Sequence, residues 1–204
     1  MIEAVIGLVG VIVGSAITVF KDSWSSWRDR NRSGAYAAIR ITCLLEEYAD
    51  KCVDVVQDDG TVYGQPAGRT SDREEYYKVQ VELPDAPNFP DDIDWRSLDV
   101  GLMHRILGLP NKARTTDRYI SGHSEHSFPP DYHEFFEARQ VGYAGLGIEA
   151  LEIVEQLRVK YKIEANAVRL GNSDWDARKF LIAKRTAFEE TAKANNFQQN
   201  QIEV

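Results

Sequence analysis

The sequence predicts a mainly α protein: a single N-terminal transmembrane helix followed by a helical bundle with a small β-hairpin excursion. Three observations point there. Residues 4–20 carry no charge at all. The residues that follow recur at helical spacing through most of the chain. Turn punctuation crowds into one interval, 58–94, and separates the helical stretches.

The apolar opening is expected to form a transmembrane anchor over residues 1–22. At about 1.5 Å per residue, the uncharged helix from Ala4 to Phe20 spans roughly 25 Å, slightly less than the hydrocarbon core of a bilayer. Ile2, Trp24 and Trp27 extend it, because tryptophan favours the membrane–water interface. Lys21 can reach along the helix to keep its ammonium in water. A cleaved signal peptide is disfavoured, since Glu3 and no lysine or arginine precedes the apolar run. A helix of a soluble core would show a polar face, and none is visible.

Residues 23–34 read as a juxtamembrane segment. Lys21, Arg28, Arg30 and Arg32 follow the span, against Asp22 and Asp29. The positive-inside rule then puts the protein in a bacterial inner membrane as a single pass, with the N-terminus outside and the C-terminal body cytoplasmic. Lys21, Trp24, Trp27, Arg28 and Arg30 are the expected membrane-interface residues. Gly7, Gly10 and Gly14 share one helix face, where small residues let two backbones approach in lipid. That face is the expected interface for a homo-oligomer or a membrane-protein partner, membrane lipid being the other expected partner.

Net charge is −8. Without Glu3 and segment 21–32, which holds four basic and two acidic residues, residues 33–204 keep 20 basic and 29 acidic residues, a charge of −9. A nucleic-acid partner is therefore not expected. Cys43 and Cys52 lie nine apart on one predicted helix, too far to bridge without breaking it. Both read as small buried residues rather than a redox pair.

The body, 35–194, opens with a helix running to about Gln57. Ala38, Ile41, Leu45, Tyr48, Cys52 and Val55 alternate at spacings of three and four, as a packing seam requires. This helix either continues the anchor or breaks at Ser33 and Gly34. In the excursion, Tyr77, Val79 and Val81 alternate with polar residues, which argues a short strand paired with residues 61–63. An excursion of this length is unusual between helices and is a candidate partner-binding surface.

Helix resumes behind Asp94 as a cap, with Trp95, Leu98, Leu102, Ile106 and Leu109 on its apolar face. Pro110 is expected to open a second short helix. A long helix over about 131–162 carries Phe136, Tyr143, Leu146, Ala150, Val154, Leu157 and Tyr161 on one stripe. Gly142, Gly145 and Gly147 lower its helix propensity and suggest close packing of another helix. A last amphipathic helix uses Phe180, Leu181 and Phe188 and ends near Ala194; the polar tail, 195–204, is expected to be disordered.

One cluster has ligand chemistry. His123, His126 and His133, with Asp131, Glu134 or Glu137 nearby, are side chains of the type that bind zinc, although their spacing matches no standard motif. The competing account is a polar loop with Asp131 and Glu134 capping the next helix. Asp91, Asp92 and Asp94 read as caps and solvating charge. No catalytic residues, nucleophile motif or cofactor loop is present, so no cofactor is expected.

The opening with its three glycines, together with 32–41 (RSGAYAAIRI), 64–70 (GQPAGRT) and 89–95 (FPDDIDW), resembles a family of uncharacterised bacterial proteins. The resemblance covers roughly residues 1–160. It implies a short N-terminal membrane anchor and a helical cytoplasmic body, with no known activity. The function expected from the residues is a membrane-anchored cytoplasmic helical protein acting by self-association or partner binding. The alternatives are a membrane-permeabilising effector assembling through its glycine-faced span, and a metal-dependent hydrolase using His123, His126 and His133.

Overall fold

Ala38, Ile41, Leu45, Tyr48, Cys52 and Val55 all come to lie buried on one stripe of the first helix, so the seam spacing translates directly into packing. In the computed structural model, residues 2–125, 132–165 and 175–202 are described, with side chains for 20–125, 132–165 and 175–194. Among them are four helices: α1 (Ile2–Gln57), α2 (Val100–Ser124), α3 (His133–Tyr161) and α4 (Ala177–Ile202). A two-stranded antiparallel hairpin, β1 (Gly68–Arg69) and β2 (Glu75–Tyr76), and one 3₁₀ turn, Trp95–Ser97, lie between α1 and α2.

Helix α3 is the centre of the bundle and packs against α1, α2 and α4. Its stripe Phe136, Tyr143, Leu146, Ala150, Val154 and Leu157 is buried, with Tyr161 partly so. The glycines of α3 mark close approaches. A Cβ on Gly142 would meet Thr116 Cγ2 of α2 at 2.5 Å. One on Gly147 would meet Leu181 Cδ1 of α4 at 2.7 Å and Cys52 Cβ of α1 at 3.0 Å. Gly145 faces open space. Gly147→Leu is therefore expected to destabilise the body by about 1–3 kcal/mol through overpacking. Gly145→Ala is expected to stabilise it by up to about 1 kcal/mol through helix propensity. Urea denaturation of the two variants checks the opposite signs.

α1 runs without interruption from Ile2 to Gln57, so it does not break at Ser33 and Gly34. Residues 20–32 are exposed, and burial along α1 begins at Ser33 and Gly34. Ser33 Oγ donates to Asp94 Oδ2 at 3.1 Å. A Cβ on Gly34 would meet the Ser97 carbonyl at 2.7 Å and Tyr161 at 2.9 Å, which is why glycine stands where the helix enters the bundle. Among the described residues no helix is long and apolar enough to cross a membrane. The transmembrane helix expected of 1–22 is thus not part of what this structure supports. The apolar residues that suggest it, and Gly7, Gly10 and Gly14, fall on 2–19, whose side chains are outside the described set.

Several local expectations are corrected. The strands are 68–69 and 75–76; residues 61–63 and 77–81 do not pair as strands. The backbone N–H groups of Gln80 and Val81 donate instead to the Asp58 carboxylate, each at 3.1 Å, so side-chain capture replaces a ladder. Asp94 caps only the 3₁₀ turn, through Arg96 N; Asp99 caps α2 through Gly101 N and Leu102 N. Pro110 lies inside α2 and starts no new helix. It forfeits one backbone hydrogen bond. The burial of Leu102, Ile106, Leu109, Ala113 and Ile120 on either side of it holds the helix together. Cys43 is exposed, while Cys52 is buried and its thiol is pushed up to about 12 by desolvation. The helical backbone of α4 reaches Ile202, well past Ala194, so most of the expected disordered tail is helix.

Candidate functional site: an aromatic and acidic cleft

The excursion returns to the bundle through a buried ion pair at the far end of α1. Asp58 follows α1 directly, and its side chain and that of Arg139 on α3 are 1% and 3% exposed. Asp58 Oδ1 accepts from Gly60 N at 3.0 Å, and Oδ2 accepts from Gln80 N, Val81 N and Arg139 Nη2, each at 3.1 Å. Arg139 Nη2 also donates to the Val81 carbonyl at 2.6 Å. Gln140 Nε2 donates to the Asp58 carbonyl at 2.9 Å. Burial pulls the Arg139 guanidinium down from its ordinary value, and the Asp58 carboxylate opposes that pull. A four-donor carboxylate of this kind is a clasp: it fixes 58–60 and 80–81 to α3 at once.

The clasp shapes what lies beside it. Gly60 takes φ +79°, and a Cβ there would meet the Phe136 ring at 2.3 Å and Tyr77 Cβ at 2.9 Å, leaving no room for a side chain. Lys78 N donates to the Gly60 carbonyl at 3.0 Å and keeps Tyr77 against this turn. The result is a cleft of ≈ 320 Å³ between the excursion and the first turns of α3. Asp59 and Tyr77 form one wall, and Tyr132, Phe136, Glu137 and Gln140 the other. His133 and, from α4, Phe188 complete it.

Four aromatic rings thus share a cleft with two carboxylates. Asp59 is held below the usual carboxylate range, first by the Thr61 hydroxyl and then by the Thr61 N–H. These two donors lie 2.6 and 2.9 Å from Oδ1. Glu137 lies 3.4 Å from His133 Nδ1, one turn away on α3. An anionic, ring-walled cleft is chemically suited to binding. Cys52, whose raised thiol pKa leaves it inert, is buried elsewhere in the core.

The sequence-predicted site residues fall as follows. His123 sits at the end of α2, its ring 4.6 Å from Tyr119 and Nδ1 3.9 Å from Glu134 Oε2. His133 belongs to the cleft, and His126 lies outside the described residues. Among the described residues no three metal-type side chains converge. Lys21, Trp24, Trp27, Arg28 and Arg30 are all exposed on α1. Phe20, Trp24 and Trp27 follow one another along it with tilted rings, centroids 6.2 and 5.9 Å apart.

The sequence points to a candidate partner surface in 58–94 but carries no pattern that locates the cleft. A signal for the clasp was present in Arg139, a charge three residues after Phe136 and four before Tyr143, on the apolar stripe of α3. A charge on such a stripe demands a buried partner. No protein-family model matches the chain, and neither a curated protein nor a solved structure matches it. The resemblance carried by 32–41, 64–70 and 89–95 has no support beyond those residues.

Proposed function

We propose that the chain is a membrane-anchored helical module, its first twenty residues inserted in a bacterial inner membrane and its body held in the cytoplasm by α1. It acts by binding, through self-association of the glycine-faced span or recruitment of a partner, rather than by catalysis. The observation that carries this reading is the exposed part of α1. Residues 20–32 are all exposed, and among them Phe20, Trp24 and Trp27 are 69%, 57% and 62% exposed with their rings adjacent. Three exposed large rings side by side are costly in water and are favoured at a bilayer interface. The uncharged run 4–20 lies immediately before them, and Lys21, Arg28, Arg30 and Arg32 are placed around and after them. A buried clasp and a ring-walled cleft suit a binding role.

The test uses the full chain in bilayers whose lipids carry bromine at shallow acyl positions. In a Trp95→Phe/Trp175→Phe background, the fluorescence of Trp24 and Trp27 is expected to be strongly quenched. Unquenched emission would remove the membrane placement. Gly10→Leu is expected to abolish crosslinked oligomers in the same bilayers; unchanged crosslinking would move association away from the glycine face.

A further inference from the structure

We propose that the cleft between the excursion and α3 binds a small organic cation of the alkylated-ammonium class. Its walls are the reason. Tyr77, Tyr132, Phe136 and Phe188 line the cleft, and aromatic quadrupoles attract a cation most strongly where water is displaced. Asp59 and Glu137 add negative charge at the rim. Asp59 is held ionised chiefly by Thr61, with a smaller contribution from the Lys184 ammonium, which a bound cation would have to displace or share.

The neighbourhood already uses this chemistry internally. The Arg139 guanidinium lies 5.5 Å from the Phe135 ring centre, and the Lys184 ammonium 6.0 Å from that of Phe180. Phe135 and Phe136 meet edge to face, at 5.3 Å and 67°. Phe180 and Lys184 precede Phe188 on the same helix. Cations thus settle on Phe135 and Phe180, neighbours in sequence or on the same helix of rings that line the cleft, while among the described residues no cation–ring contact involves Tyr77, Tyr132, Phe136 or Phe188. The N-terminal end of α3, at Tyr132 and His133, also lines the cleft and its dipole opposes a cation, so the Asp59 and Glu137 carboxylates and the rings have to outweigh it.

The size and position of the cleft narrow the ligand. A volume of ≈ 320 Å³ accepts a small molecule with a few waters and excludes a folded partner. The cleft adjoins Asp58, at the opposite end of α1 from Phe20, roughly 55 Å along the helix. If α1 is anchored as proposed, lipid headgroups of that membrane are out of reach, and the ligand comes from the aqueous phase. Only this last exclusion rests on the membrane reading; the binding chemistry does not.

Choline is the probe, with 3,3-dimethylbutan-1-ol as its uncharged isostere, titrated by calorimetry into the full chain in a maltoside detergent. Saturable one-to-one choline binding is expected, with the isostere weaker by about tenfold or more. Glu137→Gln and Phe188→Leu are each expected to weaken choline about three- to tenfold while leaving the circular-dichroism melt unchanged. If Phe188→Leu disturbs the melt, Glu137→Gln alone decides. Equal affinity for the isostere, failure of choline to saturate, or unchanged affinity in Glu137→Gln would each overturn the proposal. None of these outcomes depends on whether the chain inserts in a membrane, so this failure and that one are read separately.

Discussion

Asp58→Ala is expected to destabilise the body by about 3–5 kcal/mol, the largest loss for any single side chain outside the apolar core. The reason is what the substitution leaves behind. Asp58 satisfies three backbone N–H groups and one guanidinium within a site that is almost free of water. Removing it strands those donors, and a buried donor without a partner carries its full desolvation cost. Arg139 would keep only the Val81 carbonyl and the Phe135 face. Arg139→Met should cost less, because the Asp58 carboxylate would retain its three backbone donors. The double variant Asp58→Ala/Arg139→Met should be more stable than Asp58→Ala alone, since it removes the unpaired buried charge. Urea denaturation of the three variants gives this ranking. Amide exchange adds a local readout: Gly60, Gln80 and Val81 should lose protection in Asp58→Ala before the helices do. A double variant less stable than Asp58→Ala would mean that the guanidinium, not the carboxylate, organises the clasp.

The same clasp explains how far the sequence could be read. Helices were legible because burial repeats at their period: the six seam positions of α1 and the stripe of α3 are inward as spaced. Glycine in α3 likewise announced close helix contacts, correct for Gly142 and Gly147 and empty for Gly145. The excursion was not legible in detail, because its order comes from one carboxylate capturing amides more than twenty residues away. An alternating Tyr77–Val81 pattern looks like a strand when only neighbours in sequence are considered. Asp58 overrides it by offering those amides a better acceptor than a second strand. Pro110 misled for a related reason: a local breaker loses to apolar burial on both its sides. The cleft is invisible at the level of periodicity, since Asp59, Tyr77, Phe136 and Phe188 come from three separate segments.

Two arginines in the apolar opening, Val9→Arg/Val13→Arg, are expected to move the chain from the membrane to the soluble fraction. Each arginine near the middle of a span costs about 2.5–3.5 kcal/mol on insertion scales, so the pair shifts partitioning by roughly four orders of magnitude. The fold of the body should survive, because residues 20–32 are exposed and burial along α1 begins at Ser33 and Gly34. Wild type should remain with the pellet after alkaline carbonate washing, while the variant enters the supernatant with an unchanged melt. Ser23→Arg/Ser26→Arg is the control. It adds the same charge among exposed residues beyond Phe20 and should leave the chain in the pellet, because cations on that side of the span suit the proposed orientation. A wild-type chain that washes into the supernatant would leave the exposed rings of Phe20, Trp24 and Trp27 needing a protein partner in place of a bilayer. A variant that stays in the pellet would mean that the body itself, not the opening helix, holds the membrane.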